Sequence, residues 1–496
     1  MSAFEKPLFV CEYAHAMGNA IGNLKEYWES IEGSKATIGG AIWDWIDQAI
    51  YEPHEMKKGI YRLHTGYDFP GPHQGNFCSN GIVPATREES PKLKEVKAIY
   101  QYVGFKCLGM DAAHDVANIQ VTNKYAFLPL NGFDLKWETV KNGEIVGADS
   151  LKLEAVLPGD SVALSLKLTG VNLSGAQKNG DEVMVNLHVR MLSSTVWAEA
   201  GHEVAFRQFE LTERAALPEL AAKQKKNNWD VREDEKQVSV ANEKVRAVFD
   251  RSTGQLIQLN MGGKEIISHK GGFLYDNHRW IENDLFKEVA NGLDAAGTCE
   301  VTVEKGKVLV RTSRGGSLCA TNIVYTFTPD GVLDMDVRFS PQTANLRRCG
   351  LVCLLDSTLT QVNYYAHGPW ENYVDRKDAC PVGRYTTTVD EMGGKYVKPQ
   401  SMGNREGLRS LELTDASGKG IRIQTQGNVS FSALRYTDAD LMNAKHTWEL
   451  EKRPYVVLHL DAALRGLGNA SCGPETMLKY QIPQKPMSYK LRISAL

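Results

Sequence analysis

The chain has 496 residues, which at roughly 150 residues per domain makes about three domains and excludes a single module. Lys and Arg number 57 against 60 for Asp and Glu, a formal charge of −3 that lacks the basic excess of a nucleic-acid footprint. Hydrophobic residues at 42% and charged residues at 24% suit several soluble cores and exclude disorder for most of the chain, and neither a long apolar span nor a signal-peptide pattern is seen.

Pro7-Leu-Phe-Val-Cys11 is a continuous apolar run of the kind found in a strand buried on both faces, and it ends on Glu12. Ile21, Leu24, Trp28 and Ile31 recur at helical spacing until Gly33-Ser34 stops them. A second apolar run, Thr37 to Ile42, leads into Trp43-Asp-Trp45 and a loop rich in Gly, Pro, His and Tyr that reaches about Ala85. Ser90-Pro91 then supplies an N-cap and a proline at the first helical position, followed by the apolar stripe Leu93, Val96, Ile99 and Tyr100. Strand, helix, strand, helix is the pattern of parallel βα units.

From about residue 104 the period changes to two. Phe133 to Val140 alternates, Asn142-Gly143 makes a hairpin turn, and Val162 to Leu168 and Val183 to Val189 alternate again, as in an antiparallel sandwich. Residues 215–228 read as a linker or solvated edge with the basic run Lys223-Gln-Lys-Lys226. Beyond them, short strands separated by turn signals such as Ser252-Thr-Gly254, Gly262-Gly263 and Gly393-Gly394 predict a second, larger all-β domain. The nine cysteines are scattered, odd in number and never in a C-x-x-C pair, so a disulfide scaffold or zinc ribbon is not expected; Cys349 and Cys353 read as buried free thiols.

A parallel βα unit presents its chemistry at the carboxyl ends of its strands, where Glu12 and Trp43 fall. A carboxylate there is either a salt-bridged structural group or a catalytic one, because charge beside a buried strand is costly unless paired or used. Tyr13, His15 and Asn19 surround it with hydrogen-bonding groups. Trp43 and Trp45 add flat apolar faces of the kind that stack on sugar rings, which points to carbohydrate chemistry.

Cys11-Glu-Tyr-Ala-His-Ala-Met-Gly-Asn19 closely resembles the nucleophile motif of the beta-galactosidases of glycoside hydrolase family 2. Gly39-Gly-Ala-Ile-Trp-Asp-Trp-Ile-Asp-Gln48, Asn76-Phe-Cys-Ser-Asn-Gly81 and His367-Gly-Pro-Trp-Glu-Asn-Tyr-Val-Asp-Arg376 follow in the family's order, and the resemblance covers essentially the whole chain. It implies a multidomain α/β plus all-β architecture: the last portion of a TIM-type barrel in residues 1–103, an immunoglobulin-like β-sandwich in 104–213 and a large β-sandwich in 229–496.

The resemblance further implies that Glu12 is the nucleophile of a retaining mechanism, that His15 contacts the bound galactose and that Trp43 is the platform beneath its ring. Phe77, through its carbonyl, and Asn80, through its side-chain oxygen, would be ligands of a sodium ion at the sugar's 6-hydroxyl, and magnesium would be held mostly by groups outside this sequence. Against these stand blander roles: His15 as a cap partner, Trp43 as core, Asn80 as a turn residue. Where well-studied members carry a tryptophan near the chain's end, Gly468-Asn-Ala-Ser-Cys-Gly-Pro474 places Cys472.

A retaining enzyme also needs a second carboxyl as acid, which the family takes from an earlier barrel strand, and about two βα units do not close a barrel of eight. The chain is therefore expected to be the carboxyl-terminal half of a beta-galactosidase, inactive without its amino-terminal half. The alternative is a non-catalytic carbohydrate-binding or complementing subunit. Expected partners are a β-galactoside and the missing half, with a homo-oligomer allowed and neither nucleic acid nor membrane. The expected compartment is cytoplasmic, or periplasmic if a missing segment carries a signal peptide.

Overall fold

The computed structural model describes residues 6–219, 229–284, 292–344 and 346–496. The basic run 223–226 and most of the expected linker lie outside the described residues. The chain divides into two compact units, one of Met1–Leu93, Pro218–Lys377 and Tyr385–Leu496, the other of Lys94–Leu217 with Asp378–Arg384. No helix among the described residues is long and apolar enough to cross a membrane.

In the first unit the strands Leu8–Tyr13 and Thr37–Ile42 form a parallel pair, joined by the helix Leu24–Glu32. The helix starts three residues later than the apolar spacing predicts: Asn23 takes a left-handed conformation (φ 59°), and Ile21 is buried ahead of the helix. Burial of the first strand on both faces is not met. Leu8, Phe9 and Ile38 are 40%, 52% and 66% exposed, because each strand has only one hydrogen-bonded neighbour among the described residues. The predicted cap at the helix Pro91–Tyr100 is present, with the Ser90 hydroxyl accepting the Leu93 N–H at 3.0 Å.

The later part of this unit carries five-stranded, four-stranded and nine-stranded sheets. Alternating inward residues such as Val308 and Val310, Met335 and Val337, and Leu458 and Leu460 fill one shared core. Period-two sequence is the cause: strands with one apolar face must bury it against another sheet. Cys349 and Cys353 lie in this core, and none of the nine cysteines is in a disulfide.

In the second unit a four-stranded and a three-stranded antiparallel sheet enclose a second core, which contains Leu135, Trp137, Val185 and Leu187 from one sheet and Ile119, Val121 and Leu166 from the other. Asn142 and Gly143 both adopt positive φ (51° and 85°) between the strands Phe133–Lys141 and Glu144–Lys152, the conformation a two-residue hairpin turn requires.

Candidate functional site

The parallel strand pair brings the ends of the first two motifs together, with Glu12 one residue before and Trp43 one residue after the paired Tyr13 and Ile42. Tyr13 pairs with Ile42, the Trp43 N–H donates to the Tyr13 carbonyl at 3.1 Å, and the Ala16 N–H donates to the Trp43 carbonyl at 2.7 Å. Glu12 is exposed near the end of its strand, and Trp43 is 40% exposed, which leaves its indole free to act as a surface rather than as core. His15 is buried; its Nδ1 lies 2.8 Å from the Ser471 hydroxyl and its ring stacks on Phe77 with centroids 5.2 Å apart. Burial first, and the positive charge of Lys92 second, lower the His15 pKa and favour the neutral imidazole.

Residues 76–81 are tied to both preceding motifs. The carbonyl of Ser79 accepts from the Gly18 N–H at 3.2 Å, that of Asn80 from the Asp44 N–H at 2.7 Å, and that of Cys78 from the Gln48 N–H at 3.0 Å. Gly81 has to be glycine, since a Cβ there would lie 2.0 Å from the backbone nitrogen of Asp47. The Asn80 amide donates to the Phe77 carbonyl at 3.0 Å, while its buried Oδ1 has no hydrogen-bond partner among the described residues. Two hard oxygens, one of them orphaned, fit a small hard cation by donor chemistry.

The fourth motif closes over the back of the first. The Asn19 amide donates to the Tyr373 hydroxyl at 2.7 Å and to the Ser401 carbonyl at 2.9 Å, and its oxygen accepts from Tyr396 at 2.9 Å. Arg376 donates to the Ala20 carbonyl, and the same Tyr396 hydroxyl, with one proton to share, also lies within hydrogen-bond distance of Glu371. Asp375 accepts the N–H groups of Leu467 and Gly468, both at 2.9 Å, which fixes the loop that brings Ser471 to His15. Cys472, next in sequence, is exposed. The four motifs, hundreds of residues apart in part, thus lie in one hydrogen-bonded web.

Three residues not singled out in the sequence belong to this web: Ser471, Lys92 and Asp47. Lys92, 3% exposed, donates to the Ala16 carbonyl at 2.8 Å, and Asp47 accepts the Gly81 N–H at 2.8 Å. Burial outweighs the attraction of Asp47 and lowers the Lys92 pKa to about 8, and burial raises that of Asp47. Lys92 and Glu95 on one short helix read as an ordinary solvated i,i+3 pair, so the sequence carries no signal of their burial.

Asp276, Asp438 and His459 bring three metal-ligand atoms within 4.8 Å of one another. The Arg348 guanidinium sits among them, with Nη1 at 2.6 Å from Asp438, 3.3 Å from Asp276 and 3.0 Å from His459 Nδ1, while Nε lies 3.2 Å from Asp461. The arginine already supplies the positive charge that these acids require.

Three family descriptions match the chain: "Glycosyl hydrolases family 2, TIM barrel domain" over residues 1–105, "Beta-galactosidase, domain 4" over 119–212 and "Beta galactosidase small chain" over 241–493. A beta-galactosidase of Priestia megaterium is 31% identical over 94% of this chain and 45% of its own length. Beta-galactosidases of Actinobacillus pleuropneumoniae and Pseudoalteromonas haloplanktis are 28% and 27% identical over 100% and 99% of this chain and 48% and 49% of theirs. The chain spans about half the length of the curated relatives it matches.

Proposed function

Because the chain belongs to the beta-galactosidases of glycosyl hydrolase family 2, we propose that it carries the nucleophile side of a site that hydrolyses terminal β-D-galactosides with retention. Glu12 attacks the anomeric carbon, the bond to the aglycone oxygen breaks, and the galactose is held as an ester on Glu12 until water displaces it. Trp43 offers a flat face to the apolar side of the sugar, and neutral His15, held by Ser471 and Phe77, offers a ring nitrogen to a hydroxyl. The Phe77 carbonyl and the Asn80 side-chain oxygen would hold a sodium ion, whose positive charge would favour the sugar's 6-hydroxyl. The observation that carries this reading is the convergence of all four motifs on one hydrogen-bonded web.

The carboxyl that protonates the leaving oxygen, and the magnesium ligands, are proposed to come from barrel segments outside this sequence. A second reading, a non-catalytic carbohydrate-binding or complementing subunit, is favoured by the single parallel strand pair among the described residues and its exposed apolar side chains. One experiment separates the two: a nitrophenyl galactoside assay on this chain alone and after addition of the amino-terminal half of a relative, followed by a fluorinated galactoside inactivator and mass spectrometry. Turnover only after mixing, with the label on Glu12, supports the first reading. A label on another carboxylate removes Glu12, and no turnover after mixing leaves the binding role.

A further inference from the structure

A cavity separate from Glu12 and Trp43 lies in the same unit of the chain and is joined to the loop after Glu12 through Lys92. Its volume is about 670 Å³, within the range of small-molecule sites, and its walls include Asp47, Lys92, Trp370, Glu371, Tyr396 and Arg405. Four of these are charged and at least nine-tenths buried: Asp47, Lys92, Glu371 and Arg405. The two buried acids balance the two buried bases, while the exposed lining adds Glu88, Glu89 and Glu391 against Lys395; the buried charges by themselves suit a neutral ligand.

Glu371 is satisfied by Tyr373, Tyr396 and the Gly403 N–H, but the hydrogen-bonding capacity of the other three is not filled. Lys92 has three N–H donors and places one, on the Ala16 carbonyl. Asp47 accepts through Oδ1 only, from Gly81. The two charges attract one another, yet no ion pair within 4.0 Å joins them. Arg405 places Nε on the Tyr364 hydroxyl and Nη1 on the carbonyls of Gly403 and Asn404, which leaves Nη2 without a protein acceptor among the described residues. Buried charges left with open donors and acceptors call for a ligand that donates and accepts at close intervals.

We propose that this cavity is a second saccharide-binding site, in which ring hydroxyls bridge Lys92 and Asp47 and reach Arg405 while the C–H face of the sugar packs on Trp370. Polyols are the chemistry that fits, because each hydroxyl both donates and accepts, and a pyranose has an apolar face for the indole. An exposed ion pair between Glu88 and Lys395, 2.6 Å apart, stands on the rim. The site is wired to the proposed catalytic loops. Lys92 holds Ala16, next to His15, and Asp47 holds Gly81, next to Asn80. Occupancy therefore stiffens both loops from behind; this coupling, unlike the binding itself, rests on the galactosidase reading.

The test uses the full chain and three probes, galactose, glucose and lactose, in titration calorimetry, so that binding is read without turnover. At least one sugar is expected to bind the Trp43→Ala chain, and Trp370→Ala or Asp47→Asn should weaken that binding by about tenfold, the loss typical of one aromatic face or one charged hydrogen bond. Circular dichroism checks folding, and the near-isosteric Asp47→Asn keeps the test open if Trp370→Ala does not fold. In the Trp43→Ala chain the bound sugar should also slow amide exchange over residues 14–19. The site is overturned if none of the three sugars binds, if binding ignores both cavity substitutions, or if a crystal soaked in galactose shows only water in the cavity. Binding without slower exchange overturns the coupling.

Discussion

The Ser471 hydroxyl lies 2.8 Å from Nδ1 of His15, although 456 positions separate them in the chain. The contact ties the Gly468–Pro474 loop to the loop that follows Glu12, so the end of the chain helps to orient a group proposed to meet the sugar. Ser471→Ala should cost about 1 kcal/mol, the net worth of one hydrogen bond, and appear as roughly fivefold weaker galactose binding in the reconstituted enzyme. Unchanged affinity would show that stacking on Phe77 is enough to hold the ring. Cys472→Trp, one residue on and at an exposed position, should alter the preference among aglycones more than the rate on a small aryl galactoside.

Trp43 gives a simpler test. Its indole is 40% exposed, so Trp43→Ala should leave the unfolding midpoint nearly unchanged and remove about 1–3 kcal/mol of galactose binding by loss of stacking. A large drop in stability with intact sugar affinity would return Trp43 to the role of core residue.

What was legible in the sequence follows from how local the signal is. The Ser90 cap, the Asn142-Gly143 turn and the alternation of Phe133 to Val140 are fixed by residues within a few positions of one another, and the structure has them where the spacing puts them. Strand-end position and residue type mark Glu12, His15 and Trp43, whose particular roles come from motif resemblance, while Phe77 and Asn80 are legible only through that resemblance. Their contacts depend on loops such as 76–81 and 468–474, which carry no periodicity. The exposure of Leu8 and Phe9 was illegible for a different reason: an apolar run says that a strand wants covering on both faces and nothing about whether the neighbours are there. Lys92 and Asp47 were missed because a buried charge is written with the same letter as a solvated one.

Lys92 yields a pH prediction. Its folded pKa of about 8 lies below the ordinary 10.5, so between these values the unfolded chain binds a proton that the folded chain does not. The stability Lys92 contributes is therefore complete above pH 10.5 and is lost as pH falls towards 8. At pH 7 the fold carries a buried ammonium at a cost of about 3 kcal/mol, taking 1.36 kcal/mol per unit. Lys92→Met loses the bond to Ala16 at every pH but escapes that cost. Urea unfolding at pH 10 and pH 7 should show the variant gaining about 2 kcal/mol on the parent over that interval. A constant difference would mean that the ammonium is well solvated in its cavity.

Arg348 is the last test, and it bears on metal binding. Burial opposes ionisation of Asp438, yet the charge of Arg348 outweighs it and holds that carboxyl far below the usual range; at Asp461 burial wins and the pKa rises. One buried guanidinium thus keeps Asp438 ionised beside Asp276 and His459, in the place where a metal would otherwise sit. Chelators should leave the unfolding midpoint unchanged. Arg348→Met should cost about 3–5 kcal/mol, because it strands buried carboxylates without a counter-charge. Adding Asp438→Asn to that variant should recover part of the loss by removing one stranded charge, which a purely steric role for Arg348 does not predict. If zinc or magnesium instead raised the midpoint of the Arg348→Met chain and not of the parent, the three ligand atoms would be a competent metal site from which the arginine excludes the ion; a rise in the parent itself would show that Arg348 does not fill the site.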